Sequence, residues 1–328
     1  MKGITSILLL AIVFSSANGQ DQARYTELVG KAFTLYEQKD YRGSGAMYSA
    51  AFEALGWKGT SHDRYNAACS WALAGEPDSA FFQLKRITEW MDYANLRHIS
   101  NDTDLNSLHT DKRWQEVITL VKANKERLEV NYDKPLVAKL DSIYEEDQGL
   151  RNQIASVEAE YGRESKEMKA HWRHIWVADS LNQIKVLRIL DERGWLGPDV
   201  VGPAGSSALF LVIQHADLAT QEKYLPMMRE AVKDGRAQGN NLALLEDRIL
   251  MRNGKHQRYG SQIGRDPETG EHYLSPLEDP DDVDARRASV GLGPLADYLR
   301  NWDLTWDVEA YKEQLPELEK KLKEMNTK

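Results

Sequence analysis

The second half of the chain carries a set of polar side chains that could perform acid–base chemistry. His215 follows an apolar run and stands beside Gln214 and near Asp217, while Asp147 lies on an apolar helical stripe. Histidine titrates near neutral pH and a carboxylate can orient its ring, so these residue types suit a general acid or base. We predict catalytic roles for His215, Asp147 and Asp217. The predicted ligand-binding residues are polar or charged: Gln148, Arg151, Gln214, Asp247, Arg248, Gln257, Tyr259 and Gln262.

Two interpretations of Asp147 and of His215 remain open from the sequence. The apolar residues from Leu136 to Ile154 recur every three or four positions, which predicts a helix that buries Asp147. A buried carboxylate is costly unless it is paired or lines a wet cavity. Asp147 therefore either forms a structural ion pair with Arg151, one turn later, or belongs to a site. His215 is likewise either a core histidine or part of that site.

A metal centre is the weaker hypothesis. His215, Asp217 and Asp247 could supply ligands, but the sequence holds neither a His-x-x-x-His pattern nor a cysteine pair. We expect His171 and His174 to be solvated positions on a polar helix. No metal and no cofactor is predicted.

Helices must position these side chains, according to the spacing of the apolar residues. A helix predicted over 181–190 ends at Gly194, a natural left-handed stop. A Gly/Pro-rich loop is expected over 202–207, followed by a buried helix over 208–217 that carries His215. Further helices are predicted over 222–234 and 242–252. The polar, Gly-containing segment near 255–275 predicts an irregular stretch or a short hairpin.

The first third of the chain repeats itself at an offset of 36 residues. The offset places Ala32 on Ala68 and Ser44 on Ala80. Small residues at these positions allow two helices to cross closely. A following segment contains, in order, the residues of a closing motif: Asp104, Leu105, Leu108, Arg113 and Trp114.

This pattern resembles the tetratricopeptide repeat and the segment that often terminates it, over roughly residues 25–125. The resemblance implies helical hairpins that form an interaction scaffold, with a protein or peptide partner on the concave face. The alternative is that two repeats only dock against the C-terminal half of the chain.

The polar motifs of the second half carry another resemblance. The sequences Gln214-His215-Ala216-Asp217, Leu245-Glu246-Asp247-Arg248 and Gln257-x-Tyr259-Gly260-Ser261-Gln262 follow Asp147-Gln148-x-x-Arg151. Together they resemble an uncharacterised bacterial domain of unknown function over roughly residues 135–300. The resemblance implies a domain and no particular reaction.

The N-terminus predicts export. Lys2 precedes an apolar run from Ile7 to Phe14, and the small residues Ala17 and Gly19 follow it. This order is typical of a signal peptide cleaved before Gln20, which would leave no transmembrane anchor. The resemblance to a bacterial family favours the periplasm, although secretion remains open.

Composition narrows the class of protein. The 42 Lys and Arg residues against 51 Asp and Glu residues give a formal charge of −9, so nucleic acid is not expected as a partner. The single cysteine, Cys69, excludes an intrachain disulfide, and its small neighbours favour a buried thiol over a nucleophile.

These observations together predict a mainly α protein in three segments. They are a signal peptide (1–19), a tetratricopeptide-like repeat domain (20–130) and a helical domain with a polar pocket (135–328). The predicted function is that of an exported interaction protein whose C-terminal domain takes a small polar ligand. The alternative is a periplasmic hydrolase or lyase that acts on a small polar or anionic substrate, with His215 as general acid or base.

Overall fold

The computed structural model describes residues 5–266 and 269–326, and it describes side chains from residue 19 to residue 324 apart from 267–268. Contacts divide the chain into two compact units. Unit 1 is Met1–Val130 and unit 2 is Asn131–Lys328. Each unit is built mainly from α-helices, which confirms the predicted fold class.

Unit 1 consists of consecutive helices, and the first four pack in sequence order, each against its neighbours. They are α1 (Thr5–Glu37), α2 (Tyr41–Ala54), α3 (Ser61–Leu73), α4 (Pro77–Trp90), α5 (Leu96–Asn101), a 3-10 helix (Thr103–Leu108) and α6 (Lys112–Leu128). Side chains cap several helix starts, which satisfies backbone N–H groups that have no partner inside the helix. Asp40 caps α2 in this way, Thr60 caps α3 and Asp111 caps α6.

Small side chains are buried where the helices of unit 1 cross. Ala32, Ser44, Ala68 and Ala80 are all fully buried, so the positions related by the 36-residue offset share the same environment. The Ser44 hydroxyl donates a hydrogen bond to the Ala32 carbonyl, 2.8 Å away, and thereby joins α2 to α1. The two leucines expected in the closing motif, Leu105 and Leu108, are also buried.

Unit 2 is a helical domain with one small antiparallel hairpin. Its elements are α7 (Lys134–Arg151), α8 (Ile154–Tyr161), α9 (Lys166–Arg193), α10 (Pro198–His215), α11 (Leu218–Lys233), α12 (Gly239–Arg252), β1 (Ile263–Arg265), β2 (His272–Leu274), a 3-10 helix (Pro280–Asp282), α13 (Val283–Ser289), α14 (Leu295–Arg300) and α15 (Val308–Asn326). Ile263 pairs with Leu274 in the hairpin. The hairpin lies in the segment 255–275, where the sequence predicted it.

The core of unit 2 surrounds α10. Leu209 and Ile213 of α10 are fully buried and pack with Leu140 of α7 and with Leu190 of α9. This packing explains why the run before His215 is apolar on all sides, since a helix covered all round has no solvent face.

The prediction of a loop over 202–207 is wrong. The chain is helical there, with a kink at Gly202, whose φ of 72° interrupts α10. Glycine adopts this left-handed conformation without the steric cost that a side chain would add. Pro203 follows the kink, where its missing N–H costs no helical hydrogen bond, because it opens the second part of the helix.

The N-terminal segment bears on the export prediction. Residues 1–4, and the side chains up to Asn18, lie outside the described residues, so the predicted signal peptide stays a prediction. Among the described residues, no helix combines the length and the apolarity needed to cross a membrane.

Candidate functional site

The polar cluster of unit 2 forms where the ends of α7 and α10 meet. Asp147, Gln148 and Arg151 lie in the last turns of α7, and His215 is the last residue of α10. The two helices approach closely at Gly205, where a Cβ atom would lie 3.3 Å from the Cβ of Leu140. This close packing brings together residues that are far apart in sequence.

His215 and Asp147 form a hydrogen-bonded pair. The Nδ1 atom of His215 lies 2.9 Å from Oδ1 of Asp147, and the Asp147 side chain is 1% exposed. Asp147 also accepts hydrogen bonds from Arg151 Nη1 at 3.0 Å and from Gln148 Nε2 at 2.6 Å. A carboxylate at Nδ1 favours the tautomer with the proton on that nitrogen. The other ring nitrogen, Nε2, is then the one that can accept a proton.

The partners of Asp147 keep it ionised. Burial by itself raises the pKa of this carboxyl, but the hydrogen bond and charge of His215, the charge of Arg151 and the hydrogen bond of Gln148 together hold the pKa below its ordinary value. Asp147 therefore acts as a fixed negative charge that can stabilise an imidazolium on His215.

Sequence reasoning missed a second carboxylate in this cluster. Asp179 of α9 accepts a hydrogen bond from Arg151 Nη2 at 2.9 Å, so Arg151 bridges Asp147 and Asp179. The other oxygen of Asp179, Oδ1, is buried and has no hydrogen-bond partner among the described residues. Asp179 belongs to no motif and lies far from Asp147 in sequence. Nothing in the amino-acid pattern marks it.

The three residues able to hold a cation here differ from those that the sequence suggested. One ligand atom from each of Asp147, Asp179 and His215 lies within 4.8 Å of the others. Arg151 already donates to both carboxylates, so a metal ion would have to displace its guanidinium. The structure favours an ion-pair cluster over a metal centre at this place.

Arg248 of α12 brings a further positive charge to the cluster. Its Nη1 donates to the carbonyl of Gln214 at 3.0 Å, and its Nε donates to Oε1 of Gln262 at 3.2 Å. Within the described part of the chain, no carboxylate lies at ion-pair distance from Arg248. Burial, together with the neighbouring charges of Arg252 and Arg151, lowers the pKa of Arg248 to about 10. The group is still cationic at neutral pH.

Asp247, the neighbour of Arg248, organises the loop that carries Gln262. Its carboxylate is fully buried and accepts hydrogen bonds from the backbone N–H groups of Arg258 and Ser261, at 2.7 and 3.0 Å, and from the Ser261 hydroxyl at 2.9 Å. Burial raises the pKa of Asp247, although these hydrogen bonds oppose the rise. Asp247 therefore stabilises the loop and is not placed to contact a ligand through a free carboxylate oxygen.

The remaining predicted residues occupy supporting positions. Gln257 is fully buried and donates to the carbonyls of Gln262 and Ser275. Tyr259 donates its backbone N–H to Asp247. The side chain of Gln214 points to the Leu244 carbonyl, and its Oε1 has no partner among the described residues. Asp217 is exposed and caps α11 by accepting a hydrogen bond from the Thr220 N–H at 2.8 Å.

The expectation for His171 is wrong, whereas His174 is exposed as predicted. His171 is buried, and its Nε2 lies 2.8 Å from the Leu150 carbonyl, so the ring ties α9 to the end of α7. His171 lies with Met168 and Ile175 on the buried face of this part of α9. The residues between His171 and Ile175 are polar or exposed, so the sequence here did not indicate a buried face.

A family model matches residues 135–310 and so includes every motif of this cluster. Its description is a family of unknown function, DUF6624. The chain belongs to this family. The predicted resemblance of the second half to a domain of unknown function is thereby confirmed. No curated protein and no solved structure matches the chain. The DUF6624 match does not reach the N-terminal helices, so the tetratricopeptide resemblance stays a prediction.

Proposed function

We propose that the DUF6624 domain is a hydrolase or lyase that acts on a small anionic substrate, with His215 as general acid or base. One observation carries the proposal. A histidine–carboxylate pair with a 2.9 Å contact shares its cluster with a guanidinium that has no carboxylate partner among the described residues. Arg248 donates a hydrogen bond to the carbonyl of Gln214, the residue before the oriented His215. An arginine in this position is suited to hold a carboxylate or phosphate while a proton moves.

Each side chain has a distinct role in this proposal. Arg248 binds the anionic group of the substrate, and Gln262 keeps its guanidinium in place. Nε2 of His215 takes or gives the proton. Asp147 holds the ring by Nδ1 and stabilises the charged imidazolium. General acid–base catalysis of this kind contributes about 10²–10⁴-fold to a rate. Arg151 is a positioning residue, because it fixes Asp147 against Asp179.

A thermal-shift titration of the purified protein tests the anion site. The probes are inorganic phosphate, small hydroxy acids, amino acids and sugar acids, each compared with its neutral amide or ester. A probe at 100 times its dissociation constant stabilises the native state by about 2.7 kcal/mol, which is a measurable shift in melting temperature. We expect the shift for an anion and not for its neutral analogue.

Two variants decide whether that shift belongs to the proposed site. Arg248→Gln is expected to abolish it, while the matched control Arg188→Gln, on an exposed residue of α9, is expected to keep it. His215→Gln is expected to keep binding and to lose turnover of the anion so identified. An anion shift of equal size in Arg248→Gln, or turnover that survives in His215→Gln, contradicts the proposal.

We also propose that unit 1 is an interaction scaffold of an exported protein. The supporting observation is that residues 36 positions apart, such as Ala32 and Ala68, are equally buried at helix crossings. Stacked helix pairs of this kind present an open face to a partner. Quantitative cross-linking in cell envelopes tests the role, with Trp90→Ser, at a 74% exposed aromatic of α4, against the parent chain. Identical cross-linked partners at identical yield would count against a role for this face.

A further inference from the structure

Unit 1 contains a cavity that the acid–base proposal does not use. Its volume is about 420 Å³, which lies in the range of small-molecule sites. Helices α1, α2 and α3, the 3-10 helix and the chain around α5 all contribute to its wall. Every residue that lines it belongs to unit 1.

The walls of this cavity are rich in aromatic rings. They include Phe33, Tyr36, Tyr48, Tyr65 and Tyr93. Tyr65 stacks on Tyr93 with ring centres 5.4 Å apart, and on His98 with ring centres 4.5 Å apart. Phe33 is 57% exposed, so part of its ring faces the open side of the cavity wall. Aromatic faces carry negative electrostatic potential and attract cations.

Two carboxylates lie in the same wall, and no lysine or arginine among the described residues lies at ion-pair distance from either. Asp102 accepts a hydrogen bond from the Tyr65 hydroxyl at 2.9 Å, and Asp104 accepts one from the Tyr36 hydroxyl. The lining residues include no lysine and no arginine. Among the described residues, the only basic side chain at ion-pair distance from either carboxylate is that of His98, 3.9 Å from Asp102. Two acidic groups at the wall of an aromatic cavity thus place negative charge where no lysine or arginine of the described lining pairs with it.

Cys69 also lines the cavity, and its ligand atom lies within 4.8 Å of one carboxylate oxygen each of Asp102 and Asp104. Burial, reinforced by the charge of Asp102, raises the pKa of its thiol. Metal coordination by cysteine requires the thiolate. A metal ion would use only Cys69 and the two carboxylates, whereas an organic cation also places its stem against the aromatic rings that make up much of the wall.

We propose that this cavity binds a small organic cation, a primary ammonium or guanidinium group on a short aliphatic stem. The cation contacts Asp102 and Asp104, and its stem packs against the rings of Tyr65 and Phe33. A free amine and a lysine or arginine side chain of a peptide share this chemistry. The inference goes beyond the acid–base proposal and is independent of it, because it concerns a different unit of the chain.

Isothermal titration calorimetry of the full-length protein tests the proposal. The probes are n-pentylamine, cadaverine and Nα-acetyl-lysine methylamide, with pentanol as the neutral analogue and EDTA present throughout. We expect saturable binding of the amines and none of pentanol. Tighter binding of cadaverine identifies a free amine as the ligand, and tighter binding of the lysine derivative identifies a peptide side chain.

Matched variants locate the binding. Asp102→Asn and Asp104→Asn each remove one charge and are expected to weaken amine binding about tenfold or more. Glu53→Gln removes a charge from an exposed position of α2 outside the cavity and is expected to leave binding unchanged. If a carboxylate variant does not fold, Phe33→Ser removes only an exposed ring and is expected to weaken binding severalfold.

Three results overturn the proposal. The first is that pentanol binds as tightly as pentylamine, and the second is that no amine binds to the folded protein. The third is that Glu53→Gln weakens binding as much as Asp102→Asn does. None of them bears on the anion shift at Arg248, so the two proposals fail separately.

Discussion

At the residue scale, Asp147 is the side chain on which the polar cluster of unit 2 depends. It accepts hydrogen bonds from residues of two helices, namely Gln148 and Arg151 of α7 and His215 of α10. Because its carboxylate is buried, these partners together offset the cost of removing the charge from water. Removing Asp147 would leave Arg151 and His215 with fewer partners in a buried place.

We predict that Asp147→Ala lowers the free energy of unfolding by about 3–5 kcal/mol, the usual cost of breaking a buried ion pair. The exposed control Glu145→Gln, on the same helix, is expected to change it by less than about 0.5 kcal/mol. Urea unfolding at pH 7 measures both values. A loss in Asp147→Ala no larger than that in Glu145→Gln would show that the pair adds nothing to stability.

The lowered pKa of Asp147 also sets the sign of a pH effect. Because its pKa in the folded protein is below the ordinary value, the stabilisation is complete above the unfolded pKa of about 3.9 and is lost as the pH falls through the folded pKa. We expect the parent to lose stability more steeply than Asp147→Asn does as the pH falls below about 4. Urea unfolding across this range checks it, and parallel curves would contradict it.

At the scale of elements, the approach of α7 to α10 determines whether the cluster forms. A Cβ atom on Gly205 would lie 3.1 Å from the Cβ of Val201 and 3.3 Å from that of Leu140. The side chains of a packed core yield little, so extra volume at this point pushes the helices apart. The distance between Asp147 and His215 depends on the same packing.

We predict that Gly205→Val destabilises the protein by about 1–3 kcal/mol, the typical cost of overpacking. It should also weaken the anion-dependent shift, because Arg248 reaches the cluster through the Gln214 carbonyl on α10. Gly149→Ala is the matched control. No atom lies within 4 Å of its added Cβ, and alanine favours a helix, so a gain of up to about 1 kcal/mol is expected. A Gly205→Val variant as stable as the parent would show that the helices separate without cost.

The loop after α12 shows why the second half holds several polar motifs rather than one. Asp247 accepts hydrogen bonds from backbone and side-chain donors of the segment 257–262. That segment supplies Gln262, which in turn holds Arg248. The Asp247-Arg248 motif of α12 and the motif of the segment 257–262 therefore hold each other in place, since each supplies hydrogen-bond partners to the polar groups of the other.

At the scale of the whole molecule, the chain divides into two units that carry different candidate sites. Unit 1 holds the aromatic cavity, and unit 2 holds the histidine–carboxylate cluster. Both belong to a chain whose N-terminus carries the predicted export signal.

We predict that the mature protein begins at Gln20. A signal peptidase selects small residues before its cleavage point, and Ala17 and Gly19 meet this requirement. Intact-mass spectrometry of protein recovered from the periplasm checks the mass expected for residues 20–328. A mass that retains residues 1–19 would contradict cleavage.

The sequence by itself determined the mainly α fold, indicated an irregular stretch or short hairpin near 255–275, and marked Asp147, Arg151 and His215 as candidate site residues. The spacing of apolar residues indicates which helices form, because a helix of a globular protein buries one apolar face. Asp147 lies on such a face, so its carboxylate needs hydrogen-bonding or charged partners. The sequence marked Asp147 and Asp217 alike as candidate catalytic carboxylates to accompany His215, and the structure shows that Asp147, 68 positions away, forms the hydrogen-bonded pair.

The tertiary structure alone decided which polar residues meet. It added Asp179, placed Asp217 at a helix cap and made Asp247 a support for the loop. It also replaced the expected loop by a kinked helix, since Gly202 absorbs the break in one residue. The physical reason is the same in each case. Local spacing determines which face of a helix is buried, but the packing of several helices determines what that face contacts.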